Sequence, residues 1–91
     1  RVICVEAAGF DHPDLLAAAP FDLVFANILK GPLVDLAPSM AQNVATKGYV
    51  ILSGILNEQA DEVVQAYGDV AFTVHTREEI GEWTTLTLCL G

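Results

Sequence analysis

The residue best suited to carry chemistry in this chain is Asn27, a polar amide near the end of an almost continuous apolar run. That run, residues 21–29, has the composition of a strand buried on both faces of a parallel sheet. Ligands of open α/β sheets bind at the carboxyl ends of the strands, so an amide at this position is a candidate binding or catalytic group. Asn is also a common turn residue, and the run alone supports the two interpretations equally.

The other side chains that commonly do chemistry are scattered along the chain. Cys4 and Cys89 stand near opposite ends without a CxxC motif, and neither His12 nor His75 has a neighbour in sequence that would serve as its base or co-ligand. This distribution argues against a metal site and against a disulfide framework. We therefore expect a reducing, cytoplasmic setting.

The charge and hydropathy of the chain exclude several classes of function. Four basic residues against twelve acidic ones give a net charge of −8, whereas a nucleic-acid-binding surface needs a basic footprint. A basic protein partner is compatible with this charge. No apolar run approaches the ~20 residues that cross a bilayer. A hydrophobic content of 53% is high for a free-standing domain of 91 residues, which suggests that further chain covers some faces.

The apolar and turn-forming residues predict alternating strands and helices. Strands are predicted for Val2–Val5, 21–29, 49–52, 70–76 and Trp83–Leu90, and helices for 11–19, 32–45 and 57–67. Pro38 should kink or split the second helix, and Thr46, Lys47 and Gly48 should end it. The order predicts a mostly parallel α/β sheet with right-handed crossovers, closed by an antiparallel hairpin across residues 77–82. The chain begins without Met and directly in a strand pattern, so we expect neither a signal peptide nor a natural start.

Four segments in a fixed order give the chain a more specific resemblance. They are residues 21–33 (Phe-Asp-Leu-Val-Phe-Ala-Asn-Ile-Leu-Lys-Gly-Pro-Leu), 36–38 (Leu-Ala-Pro), 48–59 (Gly-Tyr-Val-Ile-Leu-Ser-Gly-Ile-Leu, with Glu-Gln after one residue) and 79–83 (Glu-Ile-Gly-Glu-Trp). Together they resemble the carboxyl-terminal part of the ribosomal protein L11 methyltransferase family. These are class I S-adenosylmethionine-dependent enzymes. The resemblance extends over nearly the whole chain.

The resemblance implies a Rossmann-like sheet with the strand order 3-2-1-4-5-7-6, of which the first two strands are missing. Residues 1–91 would be the carboxyl-terminal part of one catalytic domain, with Val2–Val5 as the third strand and 21–28 as the fourth. No two glycines are spaced as G-x-G, so the glycine-rich cofactor loop is absent. Val2–Val5 should then lack a neighbour and the fourth strand should expose an edge. We expect such a fragment to self-associate and to be inactive alone.

The same resemblance implies the chemistry of the site. The Asn27 side chain and the Ile28 carbonyl would receive the amine to be methylated, with Asn27 also contacting the cofactor S-adenosylmethionine. Ala8, Gly9 and Phe10 would pack on its adenine, although an ordinary turn explains these three residues equally well. The substrate would be a basic ribosomal protein of the large subunit, modified at lysine and amino-terminal amines.

Two alternatives remain at this point. The chain could be a noncatalytic α/β interaction module in which Asn27 only forms a turn. It could also be a nucleic-acid amino methyltransferase, since those enzymes place an Asn or Asp motif at the same strand end. The acidic charge, and the Ile-Leu pair in place of Pro-Pro-aromatic after Asn27, count against the second alternative.

Overall fold

A five-stranded sheet runs through the residues that this computed structural model describes, 2–5 and 20–91. Its strands are β1 (Val2–Val5), β2 (Phe21–Asn27), β3 (Val44–Leu56), β4 (Phe72–Ile80) and β5 (Trp83–Leu90). They lie in the order β1-β2-β3-β5-β4, with β1, β2 and β3 parallel and with β5 antiparallel to both of its neighbours. The predicted α/β sheet with a terminal antiparallel hairpin is confirmed.

Helices in the described residues pack on one face of this sheet. They are α1 (Lys30–Asp35), α2 (Ala37–Asn43) and α3 (Ala60–Gly68), the last preceded by a 3₁₀ turn at Asn57–Gln59. Apolar side chains of the helices and of alternate strand positions meet in one core, among them Leu33, Met40, Val63, Val24, Val50, Leu52, Leu86 and Leu88. None of the helices in this part of the chain is long and apolar enough to cross a membrane.

The opposite face of the sheet is more accessible. On β2 and β3, the side chains that alternate with the core positions include Phe25, which is 40% exposed, and Tyr49, which is 37% exposed. This is the usual period of two along a strand, in which successive side chains point to opposite faces. The predicted helix over 11–19 lies outside the described residues.

The boundary between the second predicted helix and β3 differs from the prediction. As expected, Pro38 accompanies a split: α1 ends at Asp35, and α2 begins at Ala37 with the proline in its first turn. However, α2 ends at Asn43 and β3 already begins at Val44. The segment predicted to end the helix is part of the strand, because Lys47 adopts a positive φ of 68° that lets the chain turn within β3.

Gly48 explains why this irregular start of β3 is compatible with close strand packing. A Cβ at Gly48 would lie 2.8 Å from the Ala45 carbonyl oxygen and 3.1 Å from the Asp22 carbonyl oxygen. A side chain cannot approach backbone atoms so closely, so only glycine fits here. The β2–β3 register shifts between Phe21 and Leu23 as a result of this irregularity.

The terminal hairpin is longer than predicted. β4 extends to Ile80, so Glu78 and Glu79 belong to a strand and only Gly81 and Glu82 form the turn. The prediction failed because almost every residue of β4 is exposed. An edge strand exposed on both faces accepts charged residues without the apolar alternation from which strands are recognised.

The neighbour of β1 also differs from the prediction. Val2–Val5 pairs directly with β2, with Val2 opposite Leu23 and Val5 opposite Ala26. The expectation that β1 would lack a neighbour, and that β2 would expose an edge, is therefore wrong. The physical reason is that β2 carries unpaired N–H and C=O groups on this side, and a short β-branched strand of the same chain satisfies them. The edges of the sheet in the described residues are β1 and β4.

Candidate functional site

Asn27 ends β2 at the carboxyl edge of the parallel part of the sheet. The alternation along β2 buries Val24 and Ala26 against the helices and leaves Asn27 exposed on the same side as Phe25. Ile28 follows and is buried, and Leu29 then takes an extended conformation before α1 begins. The strand thus delivers a polar amide to the sheet edge, and the buried side chain of Ile28 anchors the turn behind it.

A bulge in β3 lies directly beside Asn27. Asn27 pairs with Ser53, and the β3–β5 register shifts between Leu52 and Ile55. Gly54, within this bulge, has a φ of +79°, and a Cβ built there would lie 2.6 Å from the Asn27 Oδ1 atom and 3.5 Å from the Ile28 carbonyl oxygen. Two uncharged hydrogen-bond acceptors therefore lie close to Gly54 on the side where a Cβ would be.

The Asn27 amide is not used by the fold itself. Within residues 2–5 and 20–91, its side chain has no hydrogen-bond partner, whereas the buried side-chain polar atoms of this part of the chain are all satisfied. A structural turn residue would be expected to bond to its own local backbone. The amide is thus available to a ligand.

Lys30, the cation nearest in sequence to Asn27, has an ion-pair partner on α3. The Lys30 Nζ atom lies 3.1 Å from Glu62 Oε2, which links the start of α1 to α3. Such partly exposed pairs contribute little to stability, about 0–1 kcal/mol. The consequence for the site is electrostatic, because Glu62 balances the positive charge nearest in sequence to Asn27.

A second polar cluster lies at the hairpin turn, and the sequence did not reveal it. The Asn57 Nδ2 atom donates to the Gly81 carbonyl at 2.9 Å, the Thr84 Oγ1 atom donates to Asn57 Oδ1 at 2.7 Å, and the Asn57 backbone N–H donates to the Glu82 carbonyl at 2.9 Å. We call Asn57, Gly81, Glu82 and Thr84 the hairpin clasp. Asn at a strand-to-helix junction was its only signal, and its partners lie more than twenty positions away.

A surface cavity of about 340 Å³ adjoins the hairpin clasp, lined by Leu56, Asn57, Glu58, Gly81 and Glu82. Neither Asn27 nor Ile28 lines it. The cavity is therefore separate from the candidate amine site. The predicted adenine contacts Ala8, Gly9 and Phe10 lie outside the residues that the structure describes, and they stay predictions.

Comparison with known proteins gives the chain a family. The model of the family "Ribosomal protein L11 methyltransferase (PrmA)" matches residues 4–89. This chain belongs to that family. A ribosomal protein L11 methyltransferase of Mesorhizobium japonicum is 48% identical over 85 residues, which are 92% of this chain and 29% of that protein. The Brucella suis protein of the same name is 48% identical over 67 residues, covering 74% of this chain and 24% of the relative.

Solved structures agree with the family's fold. The ribosomal protein L11 methylase of Lactobacillus delbrueckii subsp. bulgaricus matches with a TM-score of 0.71 at 34% identity, over 74% of this chain and 35% of that one. A precorrin-6y C5,15-methyltransferase of Geobacter metallireducens matches with a TM-score of 0.64 over 91% of this chain and 52% of that one, at 12% identity, a likeness of fold alone. The chain spans about a quarter to a third of the length of the L11 methyltransferases that it matches.

The arrangement at the end of β2 suits the binding of a neutral amine. A neutral primary amine has two N–H hydrogens to donate, and the Asn27 Oδ1 atom and the Ile28 carbonyl oxygen are acceptors that carry no charge. An uncharged pair of acceptors does not hold an ammonium in its protonated state as a carboxylate would. The roles of Asn27 and Ile28 stay predictions.

Proposed function

We propose that this chain is part of an S-adenosylmethionine-dependent protein methyltransferase that modifies lysine and amino-terminal amines of a basic ribosomal protein. Membership of the L11 methyltransferase family supports the reaction class. The observation that carries the assignment of the site is the presence of two neutral acceptors, on Asn27 and Ile28, close to Gly54 at the carboxyl end of β2.

The reaction requires an amine with a free lone pair. A lysine ammonium has an ordinary pKa of about 10.4 and must lose a proton before it can attack. In the proposed site, the Asn27 side chain and the Ile28 carbonyl accept the remaining hydrogens of the neutral amine, which turns its lone pair outward. With the lone pair in this direction, Asn27 and Ile28 would hold the amine nitrogen in line with the methyl group that a bound cofactor would supply. Positioning of this kind accounts for much of the acceleration in such displacements.

S-adenosylmethionine, when bound, supplies an electrophilic methyl group on a positively charged sulfur. The described residues of the site fit such a group, because their acceptor oxygens carry no charge. The cation nearest in sequence to Asn27, Lys30, is paired with Glu62. A free cation at this place would repel the sulfonium. Asn27 is the described residue proposed to contact the cofactor, together with Ala8, Gly9 and Phe10.

A basic protein is the substrate that the charge of the chain favours. A net charge of −8 attracts a basic partner and raises its local concentration. The same charge disfavours a polynucleotide, whose phosphates would be repelled. The nucleic-acid amino methyltransferase is thus the weaker of the enzymatic alternatives.

Asn27→Ala in the complete enzyme tests the assignment. We expect methylation to fall by about a hundredfold, because the loss of one preorganised polar group in a catalytic site costs on the order of 3 kcal/mol. The folding midpoint should stay close to that of the parent, since the Asn27 side chain is exposed and makes no bond to the described residues. Rates of methyl transfer to the ribosomal protein and thermal unfolding curves give the two readouts.

Asn43→Ala is the matched control. Asn43 carries the same amide on α2, where its Nδ2 atom donates to the Ser39 carbonyl at 2.8 Å, and its loss should leave the rate unchanged. If Asn27→Ala methylates as fast as the parent while folded, Asn27 is only a turn residue and the assignment of the amine site fails. A complete parent protein that transfers no methyl group would favour the interaction module instead.

Asn27→Asp separates shape from charge. The carboxylate keeps the size of the side chain and an acceptor, but it raises the pKa of the bound amine and holds it protonated. We expect a slow enzyme at neutral pH whose rate, relative to the parent, recovers as pH rises. An equal ratio of the two rates across the pH range would contradict this role.

A further inference from the structure

Gly54 has the geometry of a residue that positions the Asn27 amide. A Cβ at this place would lie 2.6 Å from Asn27 Oδ1 and 3.8 Å from Asn27 Cγ, whereas ordinary contact of a Cβ begins at 3.4 Å. Its φ of +79° also belongs to the left-handed region. A side chain here would therefore force the Asn27 amide to move and would place a non-glycine residue in a strained backbone conformation.

The bulge accounts for the close approach. β3 pairs with β2 up to Asn27–Ser53 and with β5 again at Ile55–Thr84, and Gly54 falls between these two ladders. Bulges bend a strand locally and re-aim the residues beside them. Here the bend brings the backbone of Gly54 against the amide of the neighbouring strand.

We propose that Gly54 is a positioning residue that determines where Asn27 presents its side-chain oxygen, and so how the amine is oriented. The proposal rests on the proposed function. A Cβ built at Gly54 lies 2.6 Å from Asn27 Oδ1, so the methyl group of Gly54→Ala would force this oxygen to move until the two atoms are at least 3.4 Å apart. The Ile28 carbonyl oxygen, 3.5 Å from the same Cβ, would stay in ordinary contact. The distance between the two acceptors would change, and the amine that they bind would turn its lone pair away from the methyl group.

Gly54→Ala in the complete methyltransferase tests this role. We expect kcat to fall by about tenfold to a hundredfold, the range associated with displacements approaching 1 Å at a reacting centre. Gly81→Ala is the matched control, because Gly81 also has a positive φ, +61°, but a Cβ there meets no atom within 4 Å. Gly81→Ala therefore introduces backbone strain without a steric contact, and it should keep the parent's rate.

The double variant Asn27→Ala/Gly54→Ala shows whether Gly54 acts through the amide. Without Oδ1 the collision is gone, so Gly54→Ala should cause no further loss in the Asn27→Ala background. Additive losses would overturn the proposal. If Gly54→Ala alone does not fold, the double variant should still fold about as well as Gly81→Ala, and its failure to do so would overturn the proposal as well.

A readout that does not depend on activity separates this proposal from the proposed function. The side-chain amide resonances of Asn27 in NMR spectra should move in Gly54→Ala and stay in place in Gly81→Ala. Unmoved resonances in folded Gly54→Ala overturn the positioning role, whatever the rate. Moved resonances with the parent's rate overturn its catalytic consequence. Full activity of Asn27→Ala would overturn the role of Asn27 at the site, and the proposed function itself fails only if the complete parent protein transfers no methyl group to the ribosomal protein.

Discussion

Tyr67 is a fully buried residue whose hydroxyl needs a hydrogen-bond partner inside the fold. Its side chain has no exposed surface, its hydroxyl donates to the Leu33 carbonyl at 2.9 Å, and its ring packs edge-on against Phe72 at 5.5 Å between centroids. Burial raises the pKa of the Tyr67 phenol far above its ordinary value, because an anion there would lose its hydration. The bond joins α3 to α1, the helix that directly follows the candidate site.

Tyr67→Phe should lower the free energy of unfolding by about 1–3 kcal/mol, since it leaves the buried Leu33 carbonyl without its donor. The pH dependence has a definite sign. The folded pKa lies above the unfolded one of about 10, so this contribution to stability is complete below about pH 10 and is lost as pH rises further. Thermal unfolding of the complete enzyme as a function of pH should therefore show a shallower alkaline decline in Tyr67→Phe.

Tyr49→Phe serves as the control for loss of a phenol hydroxyl. It should lower the free energy of unfolding by less than Tyr67→Phe does, because Tyr49 is partly exposed on the other face of the sheet. An equally steep decline in Tyr67→Phe would show that another group is responsible.

Residues differ in how far the sequence reveals their roles. Asn27 could be recognised as a candidate because an apolar run of strand length ends at a polar side chain, a local signal. The close approach of Gly54 to Asn27 could not be foreseen, because it depends on a bulge created by the pairing of β3 with β5, which lies about thirty positions further along the chain.

The hairpin clasp is the clearest example of elements held together by side chains. Asn57, at the end of β3, bonds to the turn of the β4–β5 hairpin and to Thr84, a hydroxyl with no exposed surface. These bonds connect the carboxyl end of β3 to a hairpin whose outer strand is otherwise exposed. They also satisfy a buried polar atom that the core could not tolerate unpaired.

Asn57→Ala should destabilise the complete enzyme by about 1–3 kcal/mol, because Thr84 then retains a buried hydroxyl without an acceptor. Asn57→Ala/Thr84→Val should recover part of this loss, since replacing both partners removes the unsatisfied group. Chemical denaturation measures the loss, and hydrogen exchange at Gly81 and Glu82 should become faster in the single variant.

Gln65→Ala provides the comparison with an exposed bond of similar geometry, Gln65 Nε2 to Asp69 Oδ1 at 2.9 Å. Its effect on stability should be much smaller. If the double variant is no more stable than Asn57→Ala, Thr84 does not depend on Asn57 and the clasp is not a coupled unit.

For the helices and strands, the sequence predicted the order of elements well and two of their boundaries poorly. Runs of apolar residues with intervening helix patterns revealed β2, α3 and β5. The start of β3 and the end of β4 were misjudged, because one depends on a positive φ at Lys47 and the other on an exposed edge that tolerates glutamates. Neither condition leaves a local signal in apolar periodicity.

Over the residues that the structure describes, the two faces of the sheet are unequally covered. The described helices bury one face, Phe25 and Tyr49 leave apolar surface on the other, and β1 and β4 are the edge strands. Part of the surplus of apolar residues seen in the sequence is thus exposed on this second face. Exposed edges and apolar faces of this kind promote association between copies.

We expect the isolated 91-residue chain to self-associate at micromolar concentration. The accessible face around Phe25 is the cause that we expect, since β2 is paired with β1 and does not expose an edge. Phe25→Glu should shift sedimentation toward the monomer. Ile80→Glu, at an exposed position on the hairpin tip, should not. A stable, cooperatively unfolding monomer of the parent chain would contradict this expectation.

Gly48 and Gly54 together have a consequence for insertions and deletions. Each marks a close approach of β3 to β2, one beside the Asp22 carbonyl near the start of that strand and one beside the Asn27 amide at its end. The five residues between them pair in unbroken register from Tyr49–Leu23 to Ser53–Asn27. Adding or removing one residue in this interval would bring a residue with a side chain to one of the two positions where β3 now approaches β2 with a glycine. It would also turn the following side chains to the opposite face of the sheet. The length of β3 between its two glycines should therefore tolerate substitution far better than a change in residue number.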